Sequence, residues 1–250
     1  MSRQRTEALI LRVVDYQETD RIVSLYTRDL GKVSALARHA VKSKKRFGTQ
    51  LNLFQQVAVE LRQKPNRSLA FLEQVKPLHS WVGIYQDWRR IAAACVVADL
   101  VNEMTREGSV IPAIYDGASA ALQELDRGAE RWRTLAVFQY ELLAASGFRP
   151  AIDQCAVCHV RWREQQGAYW VQGAGGMHCQ PCLPHNASFE VVPASQLAAL
   201  QSVLRGTSDP TVEEGLAAAL LLYQFIRHEL GHPVRAWQFL EQMGMAPSSQ

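Results

Sequence analysis

No stretch of this chain is apolar for long enough to cross a bilayer. The longest unbroken apolar runs, Ile91 to Ala98 and Leu216 to Tyr223, have eight residues each, against the ~20 that a spanning helix needs. The N-terminal Met1-Ser2-Arg3-Gln4-Arg5-Thr6-Glu7 is charged, and the apolar run behind it is broken by Arg12 and Asp15, so no secretory signal is expected. Cysteine is scarce: five residues, of which Cys95 stands among alanines and valines and reads as a small buried hydrophobe. There is no internal repeat and no low-complexity linker. A Gly-rich phosphate loop is missing too, because Gly173-Ala174-Gly175-Gly176 lacks the Lys and Ser or Thr that must follow. Nor does any Ser/His/Asp arrangement or carboxylate pair present itself. These absences exclude a spanning protein, a disulfide-stapled miniprotein and a P-loop enzyme. A soluble, cytoplasmic chain with an empty catalytic inventory is expected.

What is present begins with bulk. At 250 residues, 48% hydrophobic and 20% charged, the chain has ample apolar material for a sizeable core. The net charge of +3 hides an asymmetry. Residues 1–80 hold 15 Lys/Arg against 7 Asp/Glu, a balance of +8, and residues 81–250 hold 12 against 17, a balance of −5. A basic first third on an acidic remainder is the footprint of a two-part chain whose front end meets a polyanion.

The hydrophobic period divides the chain at about the same place. Short apolar runs at 9–14, 21–27, 32–37, 57–62 and 69–72 are rich in Val, Ile, Tyr and Phe and are separated by turn residues, as in Asp29-Leu30-Gly31 and Lys64-Pro65-Asn66-Arg67. Five short strands in under 80 residues predict a small closed barrel, because closure removes exposed edges. From Trp81 onward the period becomes helical, through about Thr105, then at 113–125, 132–146, 195–204 and 212–230. Gly147 is placed as a helix stop, and Asp209-Pro210-Thr211 as a helix start with Glu213 and Glu214 in its first turn. The reading is therefore a multidomain α+β chain: residues 1–80 as the barrel and 81–250 as the helical domain.

Three stretches carry chemistry. Cys155-Ala156-Val157-Cys158 and Cys179-Gln180-Pro181-Cys182 are two C-x2-C knuckles separated by twenty residues. Together they predict a four-thiolate site for one structural Zn2+ per chain, closed to substrate because protein fills all four positions. Ala168 to Val171 between them reads as a strand of a zinc-ribbon insert at about 151–186; His159 and His178 read as spectators. His228-Glu229-Leu230-Gly231-His232 matches the H-E-x-x-H of zinc hydrolases. That chemistry needs an unbroken helix, and Gly231 with Pro233 predicts that the helix stops before His232. The third stretch, Arg38-His39-Ala40-Val41-Lys42-Ser43-Lys44-Lys45-Arg46-Phe47, is half Lys or Arg and follows the third strand. On a barrel such a loop offers phosphate contacts. Tyr16, Tyr26, Phe47 and Phe54 are candidates for base stacking there, or else barrel core.

Residues 7–12, then Asp15-Tyr16 and Glu18-Thr19-Asp20-Arg21-Ile22-Val23, resemble the opening of the RecO family of bacterial DNA-repair proteins. Ala37-Arg38, Lys42 to Gly48, the four-cysteine insert and Leu230-Gly231-His232-Pro233-Val234-Arg235 extend the resemblance over the whole chain. The resemblance implies an N-terminal OB-fold, an all-α domain carrying the zinc insert, and a nucleoid-associated protein of the RecF repair pathway. It implies binding of single- and double-stranded DNA, annealing of complementary strands, and binding of the C-terminal tail of single-strand-binding protein (SSB). With RecR, such a protein helps load RecA onto SSB-coated DNA. By position Arg38, Lys42, Lys44, Lys45 and Arg46 take the DNA-binding role. An SSB-tail receptor needs an apolar pocket rimmed by cations, for which Arg131-Trp132-Arg133 is the candidate, unless Trp132 is core. Two other readings stay open: an RNA-binding OB protein, and a zinc hydrolase using His228, Glu229 and His232.

Overall fold

The computed structural model describes residues 2–43, 47, 51–63, 69–163, 166–171, 176–206 and 210–247. Its first strand, β1 (Ser2–Tyr16), is fifteen residues long and is paired on both sides. Its second half runs antiparallel to β2 (Asp20–Thr27), from Ala8 opposite Thr27 to Tyr16 opposite Asp20. Its first half runs antiparallel to β4 (Gln55–Gln63), from Ser2 opposite Gln63 to Leu9 opposite Gln56. The register slips between Ile10 and Arg12, a bulge of the kind that bends a strand from one neighbour toward another. β3 (Gly31–Ala37) pairs with β2, and β5 (Ala70–Ser80) pairs with β4. A short parallel seam, Ala35 opposite Ala70 and Leu36 opposite Phe71, joins β3 to β5. The five strands thus close in the order β1-β2-β3-β5-β4, the expected OB-type barrel.

Alternation fills it. Val57, Val59 and Leu61 of β4 are buried while Ala58, Glu60 and Arg62 between them are not. Val23, Leu25, Ala35, Leu72 and Val75 add to the same core, and so do Ala40, Phe47 and Leu51 from the segment after β3. β5 runs eight residues beyond the expected end of the fifth strand, because residues 76–79 are all exposed and carry no alternation to read.

The expected helix from Trp81 divides in two. Val82–Gln86 is a 3-10 turn, and α1 (Trp88–Met104) begins only after Asp87, which takes extended backbone and accepts the Arg89 N–H at 2.9 Å. α2 (Pro112–Arg127) starts on proline and ends at Gly128, left-handed at φ 86°. The chain packs as two compact units, residues 1–128 and 129–250, so the period changes at residue 81 but the packing divides later. What ties the α1–α2 connection to the barrel is polar: the buried Tyr26 hydroxyl donates to the Ile111 carbonyl at 3.1 Å and accepts the Ile111 N–H at 3.3 Å.

The second unit has α3 (Arg131–Ala145), α4 (Ala194–Arg205), α5 (Val212–Leu230) and α6 (Arg235–Gln242), and α3, α5 and α6 share an aromatic cluster. Tyr223 stacks on Trp237 at 4.1 Å and Trp132 meets Trp237 edge-on at 6.2 Å. A capping box, Thr211 with Glu214, starts α5, and Gly147 follows the end of α3 at φ 88°. α6 is additional: Pro233 ends the preceding pattern, and eight residues are too few to show a clear helical period. The insert carries an antiparallel sheet in the order β7-β6-β8, formed by β6 (Ala168–Val171), β7 (Gly176–His178) and β8 (Phe189–Val192). β6 lies on the expected strand; β7 and β8 are additional.

The close approach of the two segments at Gly31 is testable. Gly31 is left-handed at φ 66°, and a Cβ there would run into the Ser109 carbonyl oxygen; Gly108, at φ 75°, faces open space. Gly31→Ala should cost about 2–4 kcal/mol, combining backbone strain with a clash. Gly108→Ala should cost only the strain, about 1 kcal/mol. Urea unfolding of the two variants measures the difference, and equal losses would show that the contact at Gly31 is not tight.

Candidate nucleic-acid interface and metal centre

The loop after β3 is held by backbone contacts to the β1–β2 turn. Asp20 at the start of β2 accepts the His39 N–H at 2.8 Å and the Thr19 hydroxyl at 3.1 Å. The Val41 N–H donates to the Thr19 carbonyl at 3.1 Å, and Lys42 N–H turns back to the His39 carbonyl at 3.2 Å. His39 itself is left-handed, at φ 57°. The His39 N–H holds the Asp20 carboxyl below its ordinary range; burial opposes it, and the Thr19 hydroxyl with the charges of His39 and Arg38 assists. Ala40 and Phe47 are buried in the barrel core, so the described part of the loop is pinned at both ends. Arg38, just before the first of these contacts, and Lys42, after it, are exposed. The Arg38 guanidinium lies 4.8 Å over the Phe71 ring, which Arg62 also approaches at 4.8 Å. Lys44, Lys45 and Arg46 lie outside the described residues.

Of the four aromatic candidates, Tyr26, Phe47 and Phe54 are buried, at 0, 0 and 2% exposure, and belong to the core. Tyr16, 42% exposed at the end of β1, is the one of the four left with a face for a base. Asp20 was within the stretch that carried the family resemblance, yet nothing local marked it as the anchor of a loop nineteen residues away.

The four cysteines converge. Sγ atoms of Cys155, Cys158, Cys179 and Cys182 all lie within 4.8 Å of one another, and among the described residues they are the one group of His, Cys, Asp and Glu so arranged for a metal ion. Cys158 and Cys179 are 3.7 Å apart. The first knuckle is a turn closed by Cys155 N–H to Val160 and His159 N–H to Cys155; the second follows β7 and turns through Gln180–Cys182. The Ala156 N–H donates to the Met177 carbonyl at 2.9 Å and clamps one knuckle to the other. Burial pushes the Cys155 thiol up, but backbone N–H groups at Cys158, Cys179 and Val157 outweigh it and bring it down to about 6. The neighbouring Cys179 and Cys158 side chains push Cys182 up to about 12. One thiolate, at Cys155, therefore forms readily, and the crowding opposes another at Cys182. A cation at the centre removes that opposition, which is the chemistry of a metal site.

His159 and His178 stay outside the thiol group. The first meets Gln154 at 3.3 Å through Nδ1, and the second meets the Cys182 carbonyl at 3.3 Å. The H-E-x-x-H stretch does not assemble either: α5 ends at Leu230, Gly231 is left-handed at φ 73°, and His232 lies beyond the helix. His228 instead sets its ring edge-on to Trp170 at 5.1 Å. Trp132 is 1% exposed, so of the two readings of Arg131-Trp132-Arg133 the core one holds for the tryptophan. No helix among the described residues is long and apolar enough to cross a membrane.

Two family models match: "Recombination protein O N terminal" over residues 1–81 and "Recombination protein O C terminal" over residues 85–238. The chain is 35% identical over 250 residues to a DNA repair protein RecO of Anaeromyxobacter sp. (strain Fw109-5), covering 97% of each. It is 31% identical over 246 residues to that of Myxococcus xanthus (strain DK1622), covering 98% of this chain and 100% of the relative. The likeness to the protein of that name from Geobacter metallireducens is 31% over 245 residues. With an OB-type barrel in front, helices behind and matches that span nearly its whole length, the chain belongs to the RecO family of DNA repair proteins.

Proposed function

We propose that this protein is a non-enzymatic recombination mediator that binds single- and double-stranded DNA through residues 1–80, with residues 81–250 as the helical domain. The observation that carries this reading is the basic loop pinned to a closed barrel at Asp20 and Phe47. Cations gathered on one stretch of the barrel release counterions when they meet phosphates, and that release favours binding. Arg38, Lys42, Lys44, Lys45 and Arg46 supply those charges, and Tyr16 supplies a stacking face. Phosphate contacts carry no sequence information, which suits a protein that must act on any strand. Neutralising two backbones at once would also lower the repulsion between complementary strands, in keeping with annealing. RecR, the SSB tail and a functional link to RecA complete the reading, from the family.

We further propose one structural Zn2+ per chain, held by Cys155, Cys158, Cys179 and Cys182. A tetrahedral site with Zn–S bonds of about 2.3 Å has sulfurs about 3.8 Å apart, and the Cys158–Cys179 separation of 3.7 Å fits it. Bound there, zinc would cross-link the two knuckles, and with four thiolates present no position is left for a reacting water. This chain's part is to hold the thiolates with backbone N–H groups, such as Val157 and Cys179 at 3.4 Å from the Cys155 sulfur.

Replacing Lys42, Lys44, Lys45 and Arg46 together by alanine should weaken DNA binding for all sequences alike. The slope of log affinity against log salt should fall by up to about 0.7 per lost contact on single strands and about 0.9 on duplex. Fluorescence anisotropy across a salt series measures it; an unchanged slope places the DNA elsewhere. Equal-length DNA and RNA in competition decide between the DNA reading and an RNA-binding one.

Cys158→Ser should release the zinc and loosen the insert while leaving the barrel folded, because folding of such a site is coupled to metal binding. Elemental analysis of the purified variant reads this directly. Stoichiometric zinc in Cys158→Ser would mean that the site is built from other ligands.

A further inference from the structure

The insert and α4 enclose a cavity of about 630 Å³, a size that suits a nucleotide-sized ligand. Leu197 and its neighbours on α4 form an apolar floor, and Arg161, Trp162 and Arg163 of the insert and Arg205 at the end of α4 line the rest. Residues 129–250 hold eight arginines, no lysine and ten acids, so three arginines at one cavity are a local reversal of an acidic background. Arg205 is paired with Asp153. Arg161 and Arg163 are exposed and form no ion pair among the described residues. The Trp162 indole N–H is buried without an acceptor there.

The placement of these groups depends on the first knuckle. The Cys155 N–H donates to the Val160 carbonyl at 2.9 Å, the Trp162 N–H donates to the Asp153 carbonyl at 3.2 Å, and Gln154 bridges to Arg161. The arginines therefore sit on a hairpin folded around Cys155 and Cys158, three and five residues past the second thiol.

We propose that this cavity is a second contact for single-stranded nucleic acid, seating one nucleotide with its base against Trp162 and the α4 floor and its phosphates on Arg161 and Arg163. Guanidinium groups match phosphate with paired N–H donors, and an indole is a strong stacking surface for any base. An acidic peptide would meet the same charges but has no use for a planar ring flanked by two arginines. The inference rests on the reading that the chain binds DNA, and it gives the metal a further part: ordering the hairpin that presents the arginines. Strand held here as well as at the barrel would be gripped at two places along its length.

The test uses the full chain with its metal, titrated with fluorescent oligothymidylate over a salt series. Arg161→Gln with Arg163→Gln, two exposed positions, should lower the single-strand salt slope by about 1.4, from two contacts at ~0.7 each. Trp162→Leu should weaken binding roughly 5- to 150-fold, the range for one stacked base, with zinc content and circular dichroism read alongside to show the fold intact. Should Trp162→Leu not fold, the arginine variant decides alone. If the wild type binds and the arginine variant keeps its slope and affinity, the cavity proposal is overturned while binding at the barrel stands. If the wild type binds no oligonucleotide, both fall. Loss of binding to an Asp-rich peptide in the arginine variant, with an unchanged DNA slope, would make the cavity a peptide site and also overturn the proposal.

Discussion

Residues 2–80 hold together as a barrel because β1 is paired on both sides. An open five-stranded sheet would leave a row of unpaired N–H and C=O groups at each of its two edges, open to association. Fifteen residues, with a bulge after Ile10, let one strand hydrogen-bond to β2 over one half and to β4 over the other. The circle is then completed by the two-position parallel seam of β3 and β5. With closure, each inward residue meets others across a narrow core, where alanines at 8, 35, 37 and 70 keep the space small enough to fill. The same core receives Ala40 and Phe47, two apolar residues from within the basic stretch.

The insert faces the opposite problem, too little material. Its strands have four, three and four residues, well short of what stands alone in water. Two things compensate. Trp170 of β6 leaves the small sheet to pack edge-on against Phe225 of α5 at 4.5 Å, and the four thiols converge where a cation can join both knuckles. The Trp170 contact and the convergence of the four thiols thus each hold part of the insert, and neither is extensive. This explains why a cysteine-rich module is grafted onto a helical framework and is not a free-standing bead.

Electrostatically the chain is divided. All six lysines lie within residues 1–80, and the charges of residues 129–250 are arginines and acids. Lysine is a hydrated point charge that tolerates any approach of a phosphate, whereas arginine fixes an orientation. A loop with lysines suits indiscriminate contact with a backbone; arginines beside a tryptophan suit a single seated unit. The two arrangements need no sequence preference, consistent with a repair protein.

Local periods and spacings fixed a good part of this protein before any packing is considered. The alternation in β2 and β4, the helical runs from Ile91 and Val212, the two C-x2-C knuckles, the lysine-rich loop and the helix stop at Gly231 all depend on residues within a few positions of each other. So the barrel, the helical rear, the four-thiol group and the failure of H-E-x-x-H were readable in the sequence. What tertiary structure alone decided involves residues far apart along the chain. Asp20 finds His39 nineteen residues on, and Tyr26 finds Ile111 across 85 residues. Trp132 is drawn into the core by Trp237, although beside Arg131 and Arg133 it looks in sequence like the wall of a pocket. Arg161-Trp162-Arg163 has the same three-residue pattern and the opposite fate, lining a cavity because α4 lies opposite it. The tripeptides are identical, and it is what each packs against, a helical core or an open cavity wall, that sets its exposure.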